Sequence, residues 1–110
     1  MKKDPLVYID DIYDSIRAIQ SYTSGVSRAG FMASPEKQDA VIRRLEVIGE
    51  AANRLTEDFR KRYPEVPWSG IVGLRNALIH EYDTIDLGRV WETILKDIPE
   101  LEARIREILD

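Results

Sequence analysis

The sequence has no cysteine and a single histidine, His80. The first absence excludes disulfides and thiolate metal sites, and the second excludes a multi-imidazole metal cluster built within one chain. Any chemistry carried by this chain is expected to use neither a metal nor another cofactor. Long apolar runs are also missing, so no segment is suited to crossing a bilayer. The opening stretch "MKKDPLVYIDDIYD" is too acidic for the apolar core of a signal peptide. The expected location is the cytoplasm, away from any membrane. Surplus positive charge is absent too: the net charge is −4, which argues against broad, long-range attraction to a nucleic acid.

The charge is not evenly spread. From Arg28 to Arg62 the chain carries Arg28, Lys37, Arg43, Arg44, Arg54, Arg60, Lys61 and Arg62 against six acids, whereas Tyr63 to Asp110 carries five bases against ten acids. The middle segment is either a solvated helix face or a surface that meets phosphates at short range. With 110 residues the chain can bury one hydrophobic core but not two, so residues 1–110 are read as a single domain.

Apolar residues recur at spacings of three and four and nowhere alternate, which predicts an all-α protein. Asp4-Pro5 reads as a cap followed by a first helical position, and Leu6, Ile9, Ile12, Ile16 and Ile19 extend the helix to about Thr23. Gly25 and Gly30 interrupt the pattern, so "SGVSRAGFMAS" reads as a loop. Ser34-Pro35 restarts it. Val41, Leu45, Ile48, Ala52, Leu55 and Phe59 then form one stripe with no break before Pro64, a helix of roughly 40 Å at the usual rise per residue. "YPEVPW" is a connector, and a third helix spans Trp68 to about Glu81. "YDTID" ends it and offers Asp86 as the next cap. Leu87, Val90, Trp91, Ile94 and Ile98 make a fourth helix, which Pro99 kinks or restarts before Leu101, Ile105 and Ile108. The expectation is a four- to five-helix up-and-down bundle.

The third helix, "GIVGLRNALIHEYD", is unusual. Turning about 100° per residue places Ile71, Leu74 and Leu78 on one side with Arg75 and Ile79 on its flank. The opposite side groups Gly73, Asn76, Ala77 and His80, where a solvated face more often carries lysine and glutamate. Gly73 and Ala77 are small enough to admit a close helix, and the simplest partner is a second copy of the chain related by a two-fold axis. Read from spacing alone, His80 is either a helix-terminal histidine favoured by the dipole or a proton-transfer group. Arg75 is an interface ion-pair residue or an anion ligand, and Tyr82 is a partly buried aromatic or a reactive phenol. Glu46 and Glu50 on the preceding long helix are either partners of Arg75 or simply solvated.

"RNALIHEY", Arg75 to Tyr82, fits the Arg-polar-x-x-x-His-x-Tyr signature of HEPN domains. With "RRLEVIGEAANRL", "YPEVPWSGIVGLRNALIHEYDTID" and "VWETILKDIPEL" beside it, nearly the whole chain resembles the HepT toxins, which pair with a minimal nucleotidyltransferase antitoxin, MntA, in type VII toxin–antitoxin systems. The resemblance implies a homodimeric helical bundle whose motif helices line a cleft at the two-fold axis. It implies a metal-independent ribonuclease acting on RNA such as tRNA or mRNA. Arg75, Asn76 and His80 are then the catalytic residues: histidine, with an ordinary pKa of about 6.5, moves the proton of a ribose 2'-hydroxyl or leaving oxygen, and arginine offers a planar fork to phosphate. Asn76 orients the phosphate or the imidazole. The resemblance also makes Tyr82 the residue to which the nucleotidyltransferase attaches AMP, placing negative charge in the RNA cleft. A second reading, from a different class, is a non-catalytic substrate- or nucleotide-binding subunit of a two-component nucleotidyltransferase.

Overall fold

Asp4 and Pro5 start the first helix as the sequence predicts. In the computed structural model, which describes residues 4–110 apart from the side chain of Tyr82, the Asp4 carboxylate accepts the Leu6 N–H at 2.9 Å. Pro5 occupies the first turn, where a missing N–H leaves no helical bond unmade. Helix α1 covers Pro5–Thr23. Its Ile9, Ile12, Ile16 and Ile19 all have 0% exposure, so each contributes about 1.5–3 kcal/mol of burial. No strand occurs among the described residues.

The stretch expected to be a loop contains a short helix, α2, Arg28–Met32. The Ser27 hydroxyl accepts the Gly30 N–H at 3.0 Å. The Gln38 amide donates to the carbonyls of Phe31 and Met32 at 2.9 and 3.1 Å. Five residues are too few to hold a helix by propensity; this one is held from outside. Phe31 has 0% exposure and its ring centroid lies 5.3 Å from that of Trp91.

Helix α3, Pro35–Arg54, is the centre of the bundle and packs along α1 on one side and α5 on the other. It does not continue to Pro64, as its apolar stripe predicted. Leu55 is extended (φ −69°, ψ 141°), and the Thr56 hydroxyl accepts the Phe59 N–H at 3.2 Å to open α4, Glu57–Arg62. Glu57 and Asp58 in its first turn and Arg60, Lys61 and Arg62 in its last both suit the helix dipole. A good cap with matching charges therefore wins over continuation, and Leu55 and Phe59 stay buried across the break.

Helix α5, Trp68–His80, begins where Trp68 is pinned: its side chain is buried and Nε1 donates to the Tyr63 carbonyl at 3.0 Å. A 3-10 turn, Tyr82–Thr84, follows. Asp86 then caps α6, Leu87–Glu92, by accepting the N–H groups of Gly88 and Arg89 at 3.0 and 3.2 Å. Pro99 sits in the first turn of a new helix, so the run restarts at the proline as expected. A π turn, Thr93–Asp97, links α6 to this helix, α7, Ile98–Leu109, with the Ile98 N–H bonded to the Thr93 carbonyl. Pro99 supplies no N–H and its ring crowds the carbonyl four residues back, so a widened turn just before it relieves both problems. Helix α7 returns along α1, where Ile105 has 0% exposure and the Arg106 guanidinium sits 5.8 Å from the Tyr13 ring centre.

Because α2 is held by one aromatic anchor, Phe31→Ala should lower stability by about 3–5 kcal/mol. Urea unfolding followed by circular dichroism measures it. A loss below about 1 kcal/mol, the size of an ordinary surface change, would show that Phe31 does not secure this segment.

Candidate active site

The site starts from a glycine. A Cβ at Gly49 would overlap the Cβ of Arg75, lie 2.7 Å from its Cγ and 3.2 Å from the Ile71 carbonyl oxygen. Only a residue without a side chain lets α3 and α5 come this close. The approach sets the next residue on α3, Glu50, against Arg75: its Oε2 accepts from Arg75 Nη2 at 2.8 Å. Glu50 Oε1 accepts from Arg54 Nε at 2.9 Å, one turn further along α3. The Arg54 guanidinium is thereby held more firmly in its charged form, chiefly by Glu50 and secondarily by the hydroxyl of Tyr8. Of the two glutamates that could have paired with Arg75, Glu50 does so, and no ion pair joins Glu46 to it among the described residues.

Arg75 also reaches forward. Its Nη1 donates to Asn76 Oδ1 at 2.9 Å, so the fork bridges Glu50 on α3 and Asn76 on α5. This matters because Arg75 and His80, five residues apart, project about 140° from each other around the helix, whereas Asn76 and His80 are only about 40° apart. Asn76 and His80 are both exposed. Helix geometry alone separates the arginine from the histidine; the Arg75–Asn76 bond links the arginine to the residue one turn before His80.

Each flank of α5 carries a groove. One, of about 490 Å³, is lined by Tyr8, Asp11, Arg43, Glu46, Glu50, Arg54, Arg75 and Ile79. The other, of about 430 Å³, is walled by Gly73, Leu74, Ala77 and Leu78 on α5 and by Ile85, Arg89 and Val90 opposite. A hollow of about 600 Å³ between α3, α5 and α7 is floored by Leu45, Ile48, Ile71 and Leu74, and it does not include Arg75, Asn76 or His80 in its lining. A Cβ on Gly73 would meet nothing within 4 Å among the described residues.

The predicted core stripe of α5 holds, with Leu78 buried and Ile71 and Leu74 half-buried. The structure brings Arg75 and Asn76 together and leaves His80 exposed beside Asn76. The side chain of Tyr82 lies outside the described residues; its backbone opens the 3-10 turn directly after the motif helix. Sequence reasoning missed Gly49, Arg54 and Tyr8. A signal existed for the first two: a glycine inside the apolar stripe of a long helix implies close backbone approach, and Glu50 and Arg54 have the i,i+4 spacing of a helical ion pair. Tyr8 is brought in only by the packing of α1 on α3. Among the described residues no group of three or more His, Asp or Glu side chains is arranged to hold a metal ion, and no helix is long and apolar enough to cross a membrane.

An all-α bundle with an Arg-Asn pair and an exposed histidine on one helix is the architecture of a HEPN domain. Residues 12–108 match the family described as "Ribonuclease HepT-like", and the chain belongs to that family. A Thermococcus cleftensis protein named "Probable ribonuclease HepT" is 35% identical over 108 residues, 98% of each chain. A Caldanaerobacter subterraneus protein named "Putative RNase" is 41% identical over 107 residues, 97% of this chain and 96% of that one. A Methanocaldococcus jannaschii protein named "Gamma-glutamylcyclotransferase and putative RNase" is 42% identical over 110 residues, and this chain spans half of its length. No solved structure matches.

Proposed function

We propose that this protein is a metal-independent endoribonuclease, the toxin of a type VII toxin–antitoxin pair, working in the cytoplasm as one domain over residues 1–110. The reading rests on membership of the HepT-like ribonuclease family together with one geometric observation: the Arg75 fork is bonded to Asn76, which precedes His80 by one helical turn. His80 takes the proton from a ribose 2'-hydroxyl, the 2'-oxygen bonds to phosphorus, and the P–O5' bond breaks. The proton returns from an imidazolium to the leaving 5'-oxygen. Arg75 holds the phosphate and its developing charge, and Asn76 fixes the arginine's orientation. The substrate is RNA, tRNA or mRNA, because the attacking group is absent from DNA.

The small face of Gly73 and Ala77 supports a homodimer in which two copies of α5 line one cleft. Since a Cβ at residue 73 would meet nothing within 4 Å among the described residues, Gly73→Leu should leave the folded chain intact and weaken association. Sedimentation at micromolar concentration reads the outcome, and a wild-type monomer there would rule out a shared cleft.

Cleavage should persist in EDTA, leave 2',3'-cyclic phosphate ends, spare DNA, and fall by about 10²-fold or more in His80→Ala, the usual contribution of positioned proton transfer. Full activity of that variant, or loss of wild-type activity in EDTA, contradicts the mechanism.

The antitoxin is read as an MntA-like nucleotidyltransferase that transfers AMP from ATP to the Tyr82 hydroxyl: the phenol oxygen bonds to the α-phosphorus, pyrophosphate leaves, and the phenol proton passes to solvent. A phosphodiester just past the motif helix repels the RNA backbone and occupies the cleft. Co-expression with such an enzyme should add adenylate mass mapping to Tyr82, and Tyr82→Phe should abolish the addition. An unmodified wild-type chain would favour the other reading, a non-catalytic binding subunit of the transferase. The specific observation on that side is that Arg75 is already paired with a carboxylate.

A further inference from the structure

We infer that Glu50 is a positioning residue that aims Arg75, and that Arg54 sets how strongly it does so; the kinetic consequences rest on the ribonuclease reading above. A guanidinium has five N–H donors. In Arg75, Nη2 donates to Glu50 Oε2 and Nη1 to Asn76 Oδ1, while Nε is buried with no acceptor. One N–H on each Nη is left, which is what a two-point contact with phosphate requires. Anchored at Glu50 and Asn76, the fork is fixed before any substrate arrives. Arg75 retains 25% side-chain exposure, so the fixed fork is still open to a ligand.

Arg54 makes this arrangement a clamp that can be shared. Carboxylate and guanidinium prefer to meet in a bidentate pair, which would consume a second Arg75 N–H and leave the phosphate to compete with Glu50. Here Arg54 Nε occupies Glu50 Oε1 at 2.9 Å. Glu50 therefore touches Arg75 through one oxygen only, orienting it without closing it off. The close approach at Gly49 holds α3 and α5 at the separation this single contact needs.

The two residues should consequently produce opposite kinetic changes. Glu50→Ala releases the fork: kcat for RNA cleavage should fall about tenfold or more, because orientation is lost, with KM unchanged or lower because Arg75 is no longer neutralised. Glu50→Gln keeps an acceptor and should retain most of kcat. Arg54→Ala lets Glu50 close on Arg75, so KM should rise severalfold while kcat changes little. In the Glu50→Gln background that KM effect should disappear, since a neutral amide does not form the competing pair. If Arg54 instead met RNA directly, the KM rise would survive in that background and overturn its assigned role. A kcat for folded Glu50→Ala within twofold of wild type, or a loss lying wholly in KM, overturns the role of Glu50. Should Glu50→Ala not fold, the Arg54→Ala and Glu50→Gln pair decides the question. The 15N–1H signals of the Arg75 guanidinium, read without substrate, separate this inference from the functional one. They should be resolved in wild type and in Glu50→Gln and broadened by free rotation in Glu50→Ala. If wild type cleaves no RNA, the functional reading fails while these signals still judge the clamp, and guanidinium signals unaltered in Glu50→Ala would refute it.

Discussion

The candidate site depends on one close contact, the approach of α3 to α5 at Gly49. A side chain there would collide with the stem of Arg75, and because that stem is near the backbone the helices themselves would have to separate. Glu50 would then leave hydrogen-bonding range of Arg75, and the arginine would lose its fixed end. A single hydrogen atom in place of a side chain thus connects the packing of the bundle to the direction of a guanidinium.

The same contact bears on how an acidic protein would carry the proposed phosphate site. With a net charge of −4 the chain cannot draw in a polyanion from a distance. Its arginines are set among carboxylates: Arg75 and Arg54 share Glu50, and Asp11 and Glu46 line the same groove. Such a site acts only over the range of a hydrogen bond, where donor geometry counts more than summed charge. Screening by salt affects long-range attraction far more than it affects a short, partly buried contact, so the arrangement favours selectivity of contact over speed of capture.

The rest of the bundle serves to present α5. Leu78 and Trp68 seat the helix, α3 supports it along one side, and the turn after His80 carries the chain to α6, which walls the second groove. The π turn before Pro99 keeps α6 and α7 in one continuous run despite the missing N–H. Asn76 and His80 stand exposed on the outer side of α5, and among the described residues nothing lies within 4 Å of a Cβ built at Gly73.

The sequence by itself determined the all-α class, the limits of α1 and α5 and the apolar residues that fill the core, because helical periodicity and proline or acidic caps are local signals. It also marked Arg75, Asn76 and His80 as a group through their setting in an apolar helix. It misjudged the segment of α2 and the end of α3. In the first case Phe31 finds a partner in Trp91, sixty residues later, and a five-residue helix has no strong local signature. In the second an apolar stripe concealed the cap at Thr56. Tertiary structure alone decided that Glu50 rather than Glu46 pairs with Arg75, and that Tyr8 lines the same groove. A helix wheel gives the direction of a residue but not the distance to the next helix. That distance is set by the side-chain volume at the crossing, which here is the volume of Gly49.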